Sequence, residues 1–215
     1  CNEQRITSLF ALPFMLSPHL SLTDSVFEAI SGLTTTGATV IVGIDDLPLS
    51  LLYYRQQLQW LGGMGIVILA VAILPMLGIG GMQLYRAEIP GLMKEDKLTP
   101  RITETAKALW YIYLGLTIAC AAGFWLAGMT PFDAIAHSFA QVTPGGFSTH
   151  DDSMGYFNSI TIDVVADIFM TLAGMNFFMH FLAWRKRSRR LYFYDAEIKA
   201  YLTVLLAVSL IASVS

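Results

Sequence analysis

From Ala108 to Trp184 the chain carries no lysine or arginine. Within that interval Ala108–Ala127, ALWYIYLGLTIACAAGFWLA, carries no charge of either sign. As a helix this run rises about 30 Å, the thickness of one bilayer hydrocarbon core. Such a run must be buried in a large apolar interior or in lipid, and composition decides for lipid. Of the 215 residues 55% are hydrophobic and 13% charged, against roughly 25% charged in soluble domains. A net charge of −3 leaves no electrostatic footprint for a nucleic-acid partner.

Two further apolar runs, Leu58–Gly78 and Ser159–Trp184, are long enough to cross a bilayer, and Leu9–Leu16 reads as the tail of another helix. The first contains GGMG, small residues that permit close helix contact in lipid. Trp60, Trp110, Trp125 and Trp184 fall mostly near run ends, as interfacial aromatics do. Eleven of the thirteen Lys and Arg lie in two windows, Arg86–Lys107 and Arg185–Lys199. By the positive-inside rule both windows are expected to be cytoplasmic, which puts the segments around Leu33–Val40 and Val142–Thr149 outside. The opening CNEQRITSLF is not a signal peptide, and the closing apolar run is short for a span, so the sequence reads as part of a longer chain. Cys1 and Cys120 give no disulfide framework, and Cys120 reads as a small buried hydrophobe.

The two outer segments repeat one another. Setting Asp24 on Asp133 pairs Val26 with Ile135, Ile30 with Phe139, Leu33 with Val142, Thr34 with Thr143, Gly37 with Gly146 and Thr39 with Ser148. Each reads as an acid opening a short apolar helix, then a threonine- and glycine-bearing extended piece, then a polar exit. Apolar helices of 10 to 14 residues are too short to span. Non-helical backbone at membrane depth persists only where protein buries it or water lines it. LTTTGATV therefore reads as a re-entrant loop whose carbonyls can replace the hydration shell of a cation; a helix C-cap followed by a solvated threonine loop is the plainer alternative. Its β-branched threonines favour an extended backbone, and Gly37 is free to take positive φ. The expected fold class is an all-α integral membrane protein of repeated helix–re-entrant pore loop–helix units.

Other polar residues have plainer readings. Asp24 and Asp133 read as N-caps or first-turn acids of the short helices. Asp163 and Asp167, four apart, share one helix face near its outer end, where the dipole and water favour acids; attraction of cations to the outer mouth is the alternative. Glu28 has no acidic counterpart in the second segment. His19, His137, His150 and His180 lack ligand-like spacing, and His137 is expected to make a local hydrogen bond. GIGG at Gly78–Gly81 lacks the strand, third glycine and acid of a dinucleotide site. LYRAEIPG and LYFYDAEIK read as amphipathic interfacial pieces. No nucleophile–base pair or metal cluster points to an enzyme.

LTTTGATV, the block RQQLQWLGGMGIVILAVAILPMLGIGGMQLYRAEIPG, ITETAKALWYIY and GGFSTHDDSMGYF closely resemble the TrkH-type subunits of bacterial Trk potassium uptake systems, a superfamily related to potassium channels. The resemblance implies one pore built from four helix–pore-loop–helix repeats. Residues 1–85 would be the first repeat, 86–105 a cytoplasmic linker, 106–190 the second repeat and 191–215 the start of a third. It puts Gly37 and Gly146 at the filter glycines, with Thr35, Thr36, Pro144 and Gly145 presenting carbonyls to K+. Thr143-Pro144 departs from the small or aliphatic residue often found before Gly-Gly; Pro144 keeps its carbonyl but lacks an N–H and has a rigid φ. The resemblance further implies a homodimer in the bacterial inner membrane, in contact with lipid and gated by a cytoplasmic nucleotide-binding regulatory subunit of the TrkA type. A sodium-permeable relative and, more remotely, a non-transport membrane scaffold are the rival readings.

Overall fold

The computed structural model describes residues 2–16, 20–77, 98–186, 192 and 195–214. Cys1, His19, the GIGG stretch at 78–81, the LYRAEIPG segment, residues 86–97 of the first basic window and 187–191 of the second lie outside the described residues. Every regular element among those described is helical: α1 Asn2–Met15, α2 Leu22–Leu33, α3 Leu49–Leu77, α4 Leu98–Leu126, α5 Pro131–Val142, α6 Ile160–Gly174, α7 Phe177–Lys186 and α8 Ala196–Val214. Single 3₁₀ turns at Ile44–Asp46 and Ser153–Phe157 follow the two loops.

Helices α2 and α5, with 12 residues each, rise only about 18 Å and cannot cross a bilayer. Both start on a hydroxyl rather than an acid. Ser21 and Thr130 are the N-caps, and Asp24 and Asp133 occupy the third helical position, each bonded back to the cap hydroxyl at 2.7 and 2.6 Å. At Ser21 the exchange is a full capping box. The acids are thus first-turn residues, where they also meet the positive end of the helix dipole.

Glu104–Leu126 within α4 is long and apolar enough to cross a membrane, with 23 residues and a mean hydropathy of 1.6. Helix α3 begins at Leu49, nine residues before the apolar run read from sequence, so Arg55, Gln56 and Gln59 lie inside it. Ser159–Trp184 is not one continuous helix. The chain breaks between Gly174 and Phe177, and the helices on either side meet at 91°. Met175 is extended (ψ 152°), and the Asn176 amide reaches the Glu197 carboxylate on α8 at 3.3 Å. Gly174 and Asn176 are slight marks in a mostly apolar run for a break made by one extended residue and one side-chain contact.

Two of the three apolar clusters among the described residues join helices to one another. Phe14, Ala29, Leu51 and Leu58 join α1, α2 and α3; Tyr113, Cys120, Phe124, Val142 and Ile162 join α4, α5 and α6. Trp60 is not an interfacial aromatic. It packs on Tyr113 and Phe139, its indole N–H donates to Thr117 at 3.0 Å, and the Tyr113 hydroxyl donates to its carbonyl at 2.7 Å. Trp125 and Trp184 are exposed, as end-of-run aromatics should be.

A pair of glycine-bearing loops as the candidate site

The two loops share a set of bonds in the register that sets Asp24 on Asp133. Thr34 and Thr143 each return a hydroxyl hydrogen bond to the carbonyl four residues back, at 2.8 and 2.9 Å. The N–H groups of Thr36 and Gly145 close onto Ser31 and Ala140 carbonyls, both at 2.9 Å. Thr35 and Pro144 then take positive φ (56° and 22°), as do Gly37 and Gly146 (74° and 80°). The hydroxyls of Thr39 and Ser148 accept from the N–H groups of Ile41 and His150 at 3.1 and 3.0 Å. Pro144 is the costly member. Its ring favours φ near −65°, and the shared loop shape holds it far from that value.

The loops touch at their glycines. A Cβ on Gly37 would run into the backbone carbonyl of Gly145, and its φ of 74° is strained for any other residue. Behind each loop a side chain of the short helix holds the exit. Glu28 accepts from the Thr39 hydroxyl at 2.6 Å and the Val40 N–H at 2.7 Å. His137 occupies the matching position in α5, and its Nε2 pairs with the Ser148 hydroxyl at 3.1 Å while Nδ1 faces the Asp133 carbonyl at 3.0 Å. The expected local bond of His137 is therefore present, and it is the counterpart of the Glu28 bond.

Sequence reasoning missed Arg55 and Gln59. Arg55 is fully buried, with Nε 3.4 Å from Glu28, Nη2 donating to the Thr39 hydroxyl at 3.1 Å, and Nη1 donating to the Ser148 carbonyl at 3.4 Å. Its guanidinium also lies 4.3 Å from the centre of the Phe147 ring. Gln59, one turn on, donates to the Gly145 carbonyl at 2.7 Å and accepts from the Phe147 N–H at 3.3 Å. Their spacing of four puts both on one helix face. That spacing was the available signal, hidden because RQQLQ reads as the polar margin of an apolar run.

The outer exits are joined as well. Asp151 accepts from the Ile44 N–H at 3.0 Å, the Asp45 carboxylate accepts from the Asp151 N–H at 3.3 Å, and His150 Nδ1 pairs with Asp45 at 2.6 Å. The hydrogen bond from His150, assisted by backbone donation from Asp151, holds the Asp45 carboxyl below its ordinary range despite some opposing desolvation. Asp163 and Asp167 line an open cleft of about 320 Å³ shared with Gly146, Phe147 and Ser148. His180 makes local bonds, to the Tyr192 hydroxyl and the Leu172 carbonyl, both at 2.9 Å.

Short half-helices leading into paired glycine loops, flanked by longer helices, define an all-helical membrane protein of the pore-loop class. Residues 3–214 match the family model described as TrkH, cation transport protein. The chain belongs to that family. It is 61% identical over 198 residues to the Trk system potassium uptake protein TrkH of Vibrio parahaemolyticus, and 60% identical over 207 residues to that of Halomonas elongata. These alignments cover 90% and 95% of this chain but 41% and 43% of the relatives. TrkG of Escherichia coli, also named a Trk system potassium uptake protein, is 45% identical over 205 residues, covering 94% of this chain and 42% of its own. The crystal structure of the potassium transporter TrkH from Vibrio parahaemolyticus superposes with a TM-score of 0.83 at 53% identity, covering 95% of this chain and 41% of that one. The chain thus spans about two fifths of the length of the relatives it matches.

Proposed function

We propose that this chain supplies two walls of a potassium filter in a bacterial potassium uptake protein. The backbone carbonyls of Thr35, Thr36, Gly37, Pro144, Gly145 and Gly146 coordinate K+ as it sheds its water shell. The Gly145 oxygen accepts one bond from Gln59 and keeps its second lone pair for the ion. Transport is permeation through fixed carbonyl dipoles, with no covalent step and K+ as cargo, so the protein is not an enzyme. The observation that carries this reading is the direct apposition of Gly37 and Gly145, where no side chain fits between the loop backbones. The names of the relatives support potassium as the ion.

In this reading residues 1–85 and 106–190 are two of four repeats, 86–105 is a cytoplasmic linker, and 191–215 opens the third. The loops face outward and the basic segments face the cytoplasm of a bacterium, in its inner membrane. The full protein is a homodimer under the control of a TrkA-type nucleotide-binding subunit. Gly37→Asp in the full-length protein tests the assignment in cells deficient in potassium uptake. Loss of growth at low potassium, with normal protein in the membrane, is the expected outcome. Unimpaired rescue refutes it, and equal uptake of sodium and potassium by the unsubstituted protein favours a weakly selective transporter instead.

A further inference from the structure

The two loops are supported differently from their own helices. In the first, the Ser31 hydroxyl donates to the Ala38 carbonyl at 2.6 Å and so ties the loop to α2. The residue in that register on α5 is Ala140, which has no hydroxyl, and Ala38 is matched by Phe147. The second loop therefore lacks this tether. Gln59, from α3 of the other repeat, stands in its place. Its carboxamide has no exposed surface, and it grips the Gly145 carbonyl at 2.7 Å and the Phe147 N–H at 3.3 Å, one residue to either side of Gly146. The fit is close, since a Cβ on Gly145 would meet the Gln59 amide at 2.5 to 2.7 Å.

We infer that Gln59 is a selectivity-determining positioning residue. Its carboxamide fixes the plane of the Gly145–Gly146 peptide and, through it, the directions in which the flanking Pro144 and Gly146 carbonyls point. The inference rests on the filter reading given above. A two-point amide grip differs from ordinary satisfaction of a buried side chain because it fixes rotation as well as position. Glycines have no side chain to resist that rotation, and a proline held at φ 22° is pushed away from its preferred geometry. Releasing the grip frees the peptide to turn. Carbonyls that turn by tens of degrees still attract a cation, and they lose the arrangement that separates K+ from Na+.

The test uses the full-length protein in proteoliposomes, with uptake of K+ and Na+ measured on the same preparations. Gln59→Met keeps the volume and removes both bonds. Gln59→Glu keeps the acceptor and removes the donor, and Gln59→Asn shortens the side chain and cannot overfill the site. Tyr54→Phe is the control, removing a 2.9 Å hydroxyl bond to Phe10 elsewhere on α3. The expected result is a K+/Na+ uptake ratio lowered about five-fold or more in the Gln59 variants, the scale of one lost hydrogen bond, with Tyr54→Phe unchanged. Proportional loss of both ions, or an unchanged ratio, overturns the inference and makes Gln59 a packing residue. Failure of all three variants to reach the membrane does the same. Gly37→Ser in the same assay separates the role of Gln59 from the filter reading. If it alters uptake while the Gln59 variants keep the wild-type ratio, the filter reading stands and this inference falls. If it leaves uptake and ratio untouched, the filter reading itself fails.

Discussion

The guanidinium of Arg55 stands 3.4 Å from the carboxylate of Glu28, and water reaches neither side chain. The pair joins four elements: Glu28 on α2, Arg55 on α3, and the exits of both loops at Thr39 and Ser148. Removing one partner of a buried ion pair strands the other, which costs about 3–5 kcal/mol. Arg55→Met in the full-length protein is therefore expected to lower thermal stability severely. The double variant Glu28→Gln/Arg55→Met should recover part of that loss. It removes the stranded charge and keeps an oxygen for the Val40 N–H, which Glu28 holds at 2.7 Å. Thermal unfolding of the single and double variants in detergent measures the coupling; a double variant no more stable than Arg55→Met shows that the pair is not coupled.

The glycines of GGMG are not equivalent. A Cβ on Gly62 would collide with the backbone carbonyl of Leu33 at the end of α2, whereas one on Gly65 would meet nothing within 4 Å. Gly62→Ala should displace the entry to the first loop and reduce both stability and uptake. Gly65→Ala should be tolerated, with a gain of up to about 1 kcal/mol from helix propensity. Equal effects of the two substitutions on melting temperature would show that the small residues serve α3 alone and not its contact with α2.

The Asp45–His150 contact links the exits of the two loops, and His150 also stacks on Tyr156 with ring centres 3.5 Å apart. Because the folded protein lowers the Asp45 carboxyl below its ordinary value of 3.8, the stabilisation is present above that value and is lost as pH falls through the lower folded value. Asp45 is exposed, so the effect is small. Asp45→Asn should lower the melting temperature slightly at neutral pH and flatten the acid limb of the stability profile. Melting curves collected from neutral pH to below pH 4 check this, and parallel profiles for the two proteins would rule it out.

Asp163 and Asp167 flank the cleft beside Gly146 with their carboxylates exposed. Charges so placed raise the local cation concentration rather than bind an ion tightly. Asp163→Asn/Asp167→Asn should raise the KM for K+ several-fold at low ionic strength with little change in maximal rate. The difference should shrink as salt shortens the Debye length to about 10 Å or less. An effect independent of ionic strength would point to direct coordination.

The repeat was legible because it is written in residue types with fixed roles: an acid in the first helical turn, a threonine at the helix end, a glycine at positive φ. Those roles are local, so their spacing survives in the sequence at Asp24 and Gly37 and again at Asp133 and Gly146. What connects the repeats was not legible. Arg55 and Gln59 act across more than 80 residues of chain, on Ser148, Gly145 and Phe147. Their spacing of four gives them a common helix face, but nothing beside them in the sequence says that this face is buried. Glu28 and His137 share a position and a task but differ in chemistry, so comparison by residue type separated them. The break at Met175–Asn176 escaped because apolar residues resume directly after it, at Phe177. Trp60 lies eleven residues into α3, yet the start of its apolar run made it look terminal.

In the proposed filter the carbonyls of these two loops hold K+. Anomalous diffraction from crystals of the full-length protein grown with Rb+ in place of K+ tests it most directly. Anomalous density is expected between the loops, in contact with carbonyl oxygens from Thr35–Gly37 and Pro144–Gly146. Well-ordered loops with no density there, or Rb+ density confined to carboxylates such as Asp163 and Asp167, would contradict it.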